Sequence, residues 1–357
     1  MAIQQIPVMP TGQTGCWDTN GNPVPSKDSG QDGATGTAFP PDRFRDNGNG
    51  SVLDRMTGLV WLQDADFFGE VTFADALRKS RALQSGQGDL RDGSKAGDWR
   101  LPNIRELLSM IDYGSCDPII PKNNHFRNVR SAIYWTSTSL LPAARLAWMM
   151  TLGIGPTVFD IKVINRSRMW PVRNGANPRV LQSGQAVCFD DDGNPVAAGG
   201  TGQDGELRAG VPLPSAGERF VKNSDGTVTD QLTGLIWLQN GNPFGPRTWQ
   251  EGLDLCNALC DGKSGLSDGS RPGDWSLPNI REAESLVDYG QAGPCLPQGH
   301  PFDNVRPSSY WTSTSVTAAP TEAMFIIYGV GPSIFENKLH PFFIWPVKRS
   351  PKKKGTV

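Results

Sequence analysis

Six cysteines, three histidines, two recurring Arg-Glu pairs and a set of Asp-rich turns are the parts of this 357-residue chain whose types and spacing could do chemistry. Cys16 and Cys116 recur in matching contexts as Cys188 and Cys295. Two bridges, Cys16 to Cys116 and Cys188 to Cys295, are the economical expectation, each clamping a turn-rich opening segment onto a later loop. Four reduced, partly buried thiols are the alternative. Bridges would imply an oxidising compartment. Cys256 and Cys260 stand at helical i, i+4 spacing, where Ser80 and Gln84 hold the matching places. Copper or thiol chemistry is one reading of that pair; small buried hydrophobes or a local bridge is the preferred one.

His125, His300 and His340 fall at unmatched positions, and neither half carries a Ser/His/Asp, HExxH or CxxC pattern. The pairs Arg105-Glu106 and Arg281-Glu282 lie beside apolar helical stripes, where anchoring a buried network is expected over acid and base work. The chain therefore reads as no enzyme. Asp18, Asp46, Asp190 and Asp225 sit in "DTNGN", "DNGNGSVLD", "DDDGNP" and "NSDGTVTD", oxygen-rich turns with a look of calcium loops. No glutamate stands in register at a twelfth position, so Asx-turn chemistry is preferred and Ca2+ remains the one cofactor candidate.

Charge supplies a binding reading. Residues 1–176 carry 19 Lys/Arg against 17 Asp/Glu, a net of +2, while residues 177–357 carry 15 against 19, a net of −4. The first-half excess includes Arg78, Lys79 and Arg81, then Arg127 and Arg130, then Lys162, Arg166, Arg168 and Arg173, whereas Asp254, Leu255 and Asn257 replace the first trio later on. If Arg127, Arg130, Lys162, Arg166 and Arg168 converge, they could grip sulfate or carboxylate groups, and Trp148 is nominated with them. A dispersed, solvated surface is the alternative.

The elements that must position these groups are written twice. Trp61, Trp99 and Trp135 recur 176 residues later as Trp237, Trp275 and Trp311, inside the repeated "TGL-WLQ", "DW-LPNIRE" and "YWTSTS". The opening "GQTGCWDTNGNPVP" recurs 172 residues on as "GQAVCFDDDGNPVA", and the closing "WPVR" recurs 175 on as "WPVK". A repeat of this length is a whole domain copied in tandem. Copies at 1–176 and 177–350 are expected, joined near "RNGANPRV", with 351–357 as a basic tail.

Each copy predicts a hairpin around Asn-Gly or Asp-Gly, then a helix opening at Thr72-x-x-Asp75 or Thr248-x-x-Glu251. In the second copy Trp249, Leu253, Cys256 and Cys260 should share its buried face. A second helix is expected from "LPNIRE", with proline in its first turn, Ile104, Leu107, Leu108 and Ile111 as its stripe and Gly114 as its left-handed stop. Ile280, Ala283, Val287 and Gly290 repeat this, but Glu284 replaces Leu108. Three strands follow, with Pro171 and Pro346 at a sheet edge or strand end.

The bulk numbers agree with a loop-rich α+β protein: Gly (41) and Pro (29) are abundant, Trp (11) outnumbers Tyr (5), and no apolar run of about 18 residues could span a bilayer. A net charge of −2 gives no global pull toward nucleic acid. The opening "MAIQQIPVMPTGQ" lacks the zones of a secretory signal, which reads as cytoplasmic or as a trimmed exported chain.

Together "TGQTGCWDTNGNPV", "DNGNGSVLDRMTGLVWLQ", "GDWRLPNIRELLSMIDYG", "YWTSTS" and "WPVR" resemble the DUF1566 family, also named for the C-terminal domain of the Legionella collagen-like adhesin. The resemblance spans almost the whole chain, twice. It implies a tandem pair of C-type-lectin-like domains, related to the formylglycine-generating enzyme, with two helices on twisted, mostly antiparallel sheets. It further implies an exported, periplasmic or cell-surface bacterial protein that binds glycans such as sulfated polysaccharides, or a surface protein, oligomers included. A structural subunit of a surface or appendage assembly is the alternative, and a formylglycine-type oxidase comes third. The family's cysteine pair between first helix and last strand is not kept: Ser80, Pro171 and Pro346 replace it, and only Cys256 remains.

Overall fold

A computed structural model describes residues 3–349; the tail at 351–357 lies outside them. The chain is mixed α+β and mostly strand, gathered into two compact units. Their boundaries differ from those of the sequence copies. One unit is Ala38–Leu213 with Asp288–Ala292; the other joins the segment ending at Thr37 to Pro214–Val287 and to the chain from Gly293 onward. Each copy's opening segment thus belongs with the other copy's core. We call residues 3–37 the first clasp and residues 177–213 the second clasp.

In the first-copy core, Phe44–Asp46, Ser51–Asp54, Leu59–Leu62 and Val172–Asn174 form one antiparallel sheet in that order. A second sheet runs Glu70–Val71, Ser167–Arg168, Ile133–Ser139, Leu146–Thr151, Thr157–Ile161, antiparallel except for the parallel pairing of Tyr134 with Arg168. The second-copy core repeats this with Phe220–Lys222, Thr227–Asp230, Leu235–Leu238, Val347–Arg349 and Trp275–Ser276 in one sheet. Ser309–Ser315, Glu322–Ile327 and Ser333–Asn337 make the other. Pro171 and Pro346 each precede a strand, the place open to a residue with no N–H to give.

Both expected helices form in each core. Phe73–Ala82 is capped by Thr72, whose side chain accepts from the Asp75 N–H, and Trp249–Asn257 has a full capping box between Thr248 and Glu251. Trp249, Leu253 and Cys256 face inward, but Cys260 lies past the helix end and is only half-buried. The second helix is short, Ile104–Leu108 or Ile280–Ser285. Its proline sits ahead of the cap: Asn103 and Asn279 are the N-caps, each locked in a capping box with Glu106 or Glu282. Gly114 is not the stop, since the helix ends at Leu108; the residues after Ser109 already bond in turn fashion, Met110 N–H to Leu107 C=O and Ile111 N–H to Leu108 C=O. Buried Glu284, in place of Leu108, is met by Arg281 at 3.6 Å.

Ten tryptophans are fully buried, and matched pairs occupy matched surroundings. Trp61 lies 5.3 Å from Trp170, and Trp237 lies 5.5 Å from Trp345, centroid to centroid. Each buried indole removes roughly 150–250 Å² from water, worth on the order of 4–6 kcal/mol. Among the described residues no helix is long and apolar enough to cross a membrane.

Candidate functional site

The repeated words "GQ", "GQDG" and "YWTSTS" meet at one place in each unit. The end of "YWTSTS" forms a cradle, and a clasp docks on it. Ser315 N–H donates to Gln13 Oε1 (3.0 Å) and Gln13 Nε2 donates back to Ser315 C=O (2.6 Å), so a side-chain amide is paired like a neighbouring strand. Gln185 repeats both bonds with Ser139 at 2.9 Å each. Thr314 Oγ1 donates to Asp32 (2.7 Å), and Thr138 Oγ1 to Asp204 (2.6 Å). Lys338 Nζ donates to the carbonyls of Trp17 (3.0 Å) and Asp18 (3.2 Å) and lies 4.1 Å from the Trp249 ring. Its counterpart Lys162 lies between the Phe73 and Phe189 rings, 5.2 and 5.9 Å away.

Burial sets the charges here. Asp32 and Asp204, each 1 % exposed, are pushed up to about 6 by loss of water, against the lowering effect of hydroxyls on Thr314 and Thr11 or on Ser183 and Thr138. Lys162 and Lys338 are pushed down to about 8 by the same cause. The clasp glycines are required by closeness: a Cβ on Gly33 would stand 2.0 Å from the Gly15 carbonyl oxygen, and one on Gly205 2.3 Å from that of Val187.

Beside each clasp the helix-capping glutamate is held by an arginine that changes strand between copies. Arg100 bonds both oxygens of Glu106 (2.6 Å each) and Asn174 Oδ1 (2.7 Å). In the second copy serine replaces that arginine at 276, and Arg349, in the place of Asn174, bonds both oxygens of Glu282 (2.6 and 2.7 Å). The Arg-Glu words of the sequence thus contribute their glutamates to a buried ionic network. A second pair went unnoticed in sequence: Arg43 bonds both oxygens of Asp54 and the Ser109 carbonyl, and Arg219 repeats this with Asp230 and Ser285. Its signal was the recurring "RF" followed eleven residues on by aspartate.

Where clasp meets core, each unit has a polar cleft at the matching position. One, of about 620 Å³, is lined by Gln31, Asn257, Asp274, Ser276, Ser313 and Arg349 among others. Its counterpart, of about 520 Å³, is lined by Asp98, Arg100, Arg173, Asn174, Leu207 and Ala209.

The nominated cations part company. Arg130 and Arg168 converge on Asp66 (3.1 Å each), Arg168 also reaches Glu70 (2.9 Å), and Arg166 donates to the Glu70 carbonyl (2.7 Å). Arg166 further joins Arg78 and Lys79 in drawing the Asp75 carboxyl below its ordinary value, after its hydrogen bond from Arg78. Five cations thus share one face with Asp66, Glu70 and Asp75. Arg127 is apart, paired with Asp89 at 2.8 Å. Lys162 and Trp148 do not belong to this face: both are buried, Trp148 edge-on to Phe159 and Tyr289.

The calcium candidates spend their carboxylates on turns. Asp18 accepts from the N–H groups of Asn20 and Asn22, Asp190 from those of Asp192 and Asn194, Asp46 from Gly48 and Gln63, and Asp225 from Thr227. Among the described residues no group of three or more His, Cys, Asp or Glu side chains could hold a metal ion. The expected bridges are corrected: none of the six cysteines is joined in a disulfide. Cys16 is buried and takes a hydrogen bond from Ser29 (3.6 Å), Cys188 one from Thr201 (3.4 Å), Cys295 points at the Ile327 carbonyl (3.9 Å), and Cys116 is exposed. Cys16 and Cys116 fall in different units, as do Cys188 and Cys295.

Fold and sites together define a tandem α+β protein, two like cores each closed by an opening segment from the other copy. The family model described as Lcl C-terminal domain matches residues 50–173 and again residues 226–348. The chain belongs to this family, once through each core. Neither a curated protein nor a solved structure matches it.

Proposed function

We propose that this is an exported, surface-located binding protein without catalytic activity, which recognises a sulfated or carboxylated glycan through the cationic face of the first-copy core. The carrying observation is the gathering of Arg78, Lys79, Arg130, Arg166 and Arg168 around three carboxylates. Guanidinium forks suit sulfate and carboxylate geometry. The matching face of the second copy keeps Arg306, but Asp254, Leu255 and Phe343 replace Arg78, Lys79 and Arg168. The adhesin for which the family is named supports a surface setting. A C-type-lectin-like fold for each core is part of the same reading, supported by two helices against small antiparallel sheets. No cofactor is expected in the same reading, and the aspartate turns keep Ca2+ as its single candidate.

The test is a heparin column run at rising salt. Wild type is expected to be retained, and Arg78→Glu/Lys79→Glu, on the exposed side of the helix, to elute at distinctly lower salt. Arg166→Glu should act in the same direction, each lost ion contact lowering the slope of log affinity against log salt by about one. Elution that none of these reversals changes defeats the reading.

A further inference from the structure

We propose that the first clasp is a transferable element, and that the cradle of Thr314, Ser315 and Lys338 accepts the clasp of a second copy of this chain, so that molecules assemble by clasp exchange. This stands apart from the glycan reading and rests on different residues.

The first observation is equivalence. Each cradle offers the same three anchors, a threonine hydroxyl, a serine backbone and a buried lysine, and each clasp answers with a glutamine, a buried aspartate and an aromatic residue. None of these contacts depends on which chain delivers the clasp. An element that is already docked away from its own copy has the exchange relation built into it.

The second observation is asymmetry in closure. The second clasp is near its cradle in sequence, 46 residues for Gln185 to Ser139 and 66 for Asp204 to Thr138. The first clasp must return across 302 residues for Gln13 to Ser315 and 282 for Asp32 to Thr314. The second set of clasp contacts therefore closes over the shorter separations, and the first clasp over the longer ones. Swapping that clasp between two molecules preserves every bond and yields a closed dimer; passing it onward yields an open head-to-tail series.

The third observation is self-sufficiency. Gln31 bonds both the N–H and the C=O of Trp17 (2.9 and 3.0 Å), Val24 N–H bonds the Cys16 carbonyl (3.0 Å), and Ala34 N–H bonds that of Gln31 (3.0 Å). The clasp thus carries much of its own shape. The connection after Thr37 reads Ala38-Phe39-Pro40-Pro41, a tether whose backbone the two prolines restrict.

The experiment uses the full chain. Isotopically heavy and light protein are mixed, unfolded in urea, refolded together at micromolar and at roughly millimolar concentration, the range of effective concentration for a short tether, and examined by native mass spectrometry. Monomer is expected at the low concentration and heavy–light dimers at the high one. Dimers isolated and diluted should dissociate slowly in wild type and about tenfold or more faster in Gln13→Glu, whose side chain no longer donates to the Ser315 carbonyl. Gln13→Ala, which leaves both backbone groups of Ser315 without the clasp amide, serves the same end where Gln13→Glu fails to refold. Monomer at every concentration overturns the proposal, as do dimers whose dissociation neither substitution changes.

Discussion

Replacing the buried aspartates should flatten the pH dependence of stability. Asp32 and Asp204 rise from 3.8 to about 6 on folding because burial disfavours the carboxylate. Two pKa units correspond to ~3 kcal/mol at each site. For a raised folded value the native state holds more protons than the unfolded chain, so the stabilisation is full below pH ~4 and is lost as pH climbs toward 6. Wild type should therefore be more stable at pH 4.5 than at pH 7. Asp32→Asn keeps the shape and an acceptor for Thr314 while removing the buried charge. At pH 7 it should gain ~3 kcal/mol and give back ~1 kcal/mol for the weaker bond, a net near 2 kcal/mol. Urea unfolding followed by tryptophan fluorescence from pH 4.5 to 7.5 reads this directly, given the ten buried indoles. Subtracting the variant from wild type removes the opposing contribution of His300, lowered by burial, and the parallel one of Glu322, raised by burial. Carboxyls drawn down by hydrogen bonds, such as Asp18, Asp190 and Glu251, lose their stabilisation only at more acid pH. A midpoint that stays level across the range, with Asp32→Asn weaker than wild type at pH 7, refutes the account of a costly buried charge.

Asp54→Ala should cost about 3–5 kcal/mol, because it strands the Arg43 guanidinium inside the core, and Asp230→Ala should do the same to Arg219; a loss under about 1 kcal/mol in chemical unfolding would show that water reaches these arginines. Native thiol alkylation at pH 8, mapped by peptide mass spectrometry, should label exposed Cys116 first and spare Cys256, whose thiol burial pushes far above its ordinary value, until the protein unfolds. Equal labelling of the two would remove the inert reading of Cys256 and reopen thiol chemistry in the second copy.

Much of the framework was legible because it rests on local chemistry. Thr72 and Thr248 start helices through bonds that span three residues, and the Asn-Gly and Asp-Gly turns need nothing beyond themselves, whereas the proline before Asn103 and Asn279 was expected inside the helix that those caps open. The duplication was legible for a different reason: eight of the ten buried tryptophans recur as four pairs, and the dense, particular surroundings they need repeat as words. The exchange of clasps was not legible. Gln13 is as good a partner for Ser139 as for Ser315, so the two copies carry no mark of which core receives which opening segment. Lys162 misled because a lysine in a basic run normally reports a wet surface, whereas here a clasp covers it. The arginine that changes strand from 100 to 349 escaped notice because alignment by position pairs it with serine and asparagine. The cysteine bridges failed because conserved spacing between copies says that a position matters, not that two sulfurs meet.

The order in which the two units are completed differs during synthesis. Once residue 213 has emerged, all but a five-residue stretch of the first-copy unit exists as one run, clasp included. The partner of residues 3–37 is finished only with Val347–Arg349, some 310 residues after Thr37. At about 5–20 residues per second, that is roughly 15–60 s on the ribosome. Throughout this interval the cradle of Thr314, Ser315 and Lys338 in the same chain is incomplete, and a neighbouring nascent molecule further along could offer a finished one to Gln13, Trp17 and Asp32 first.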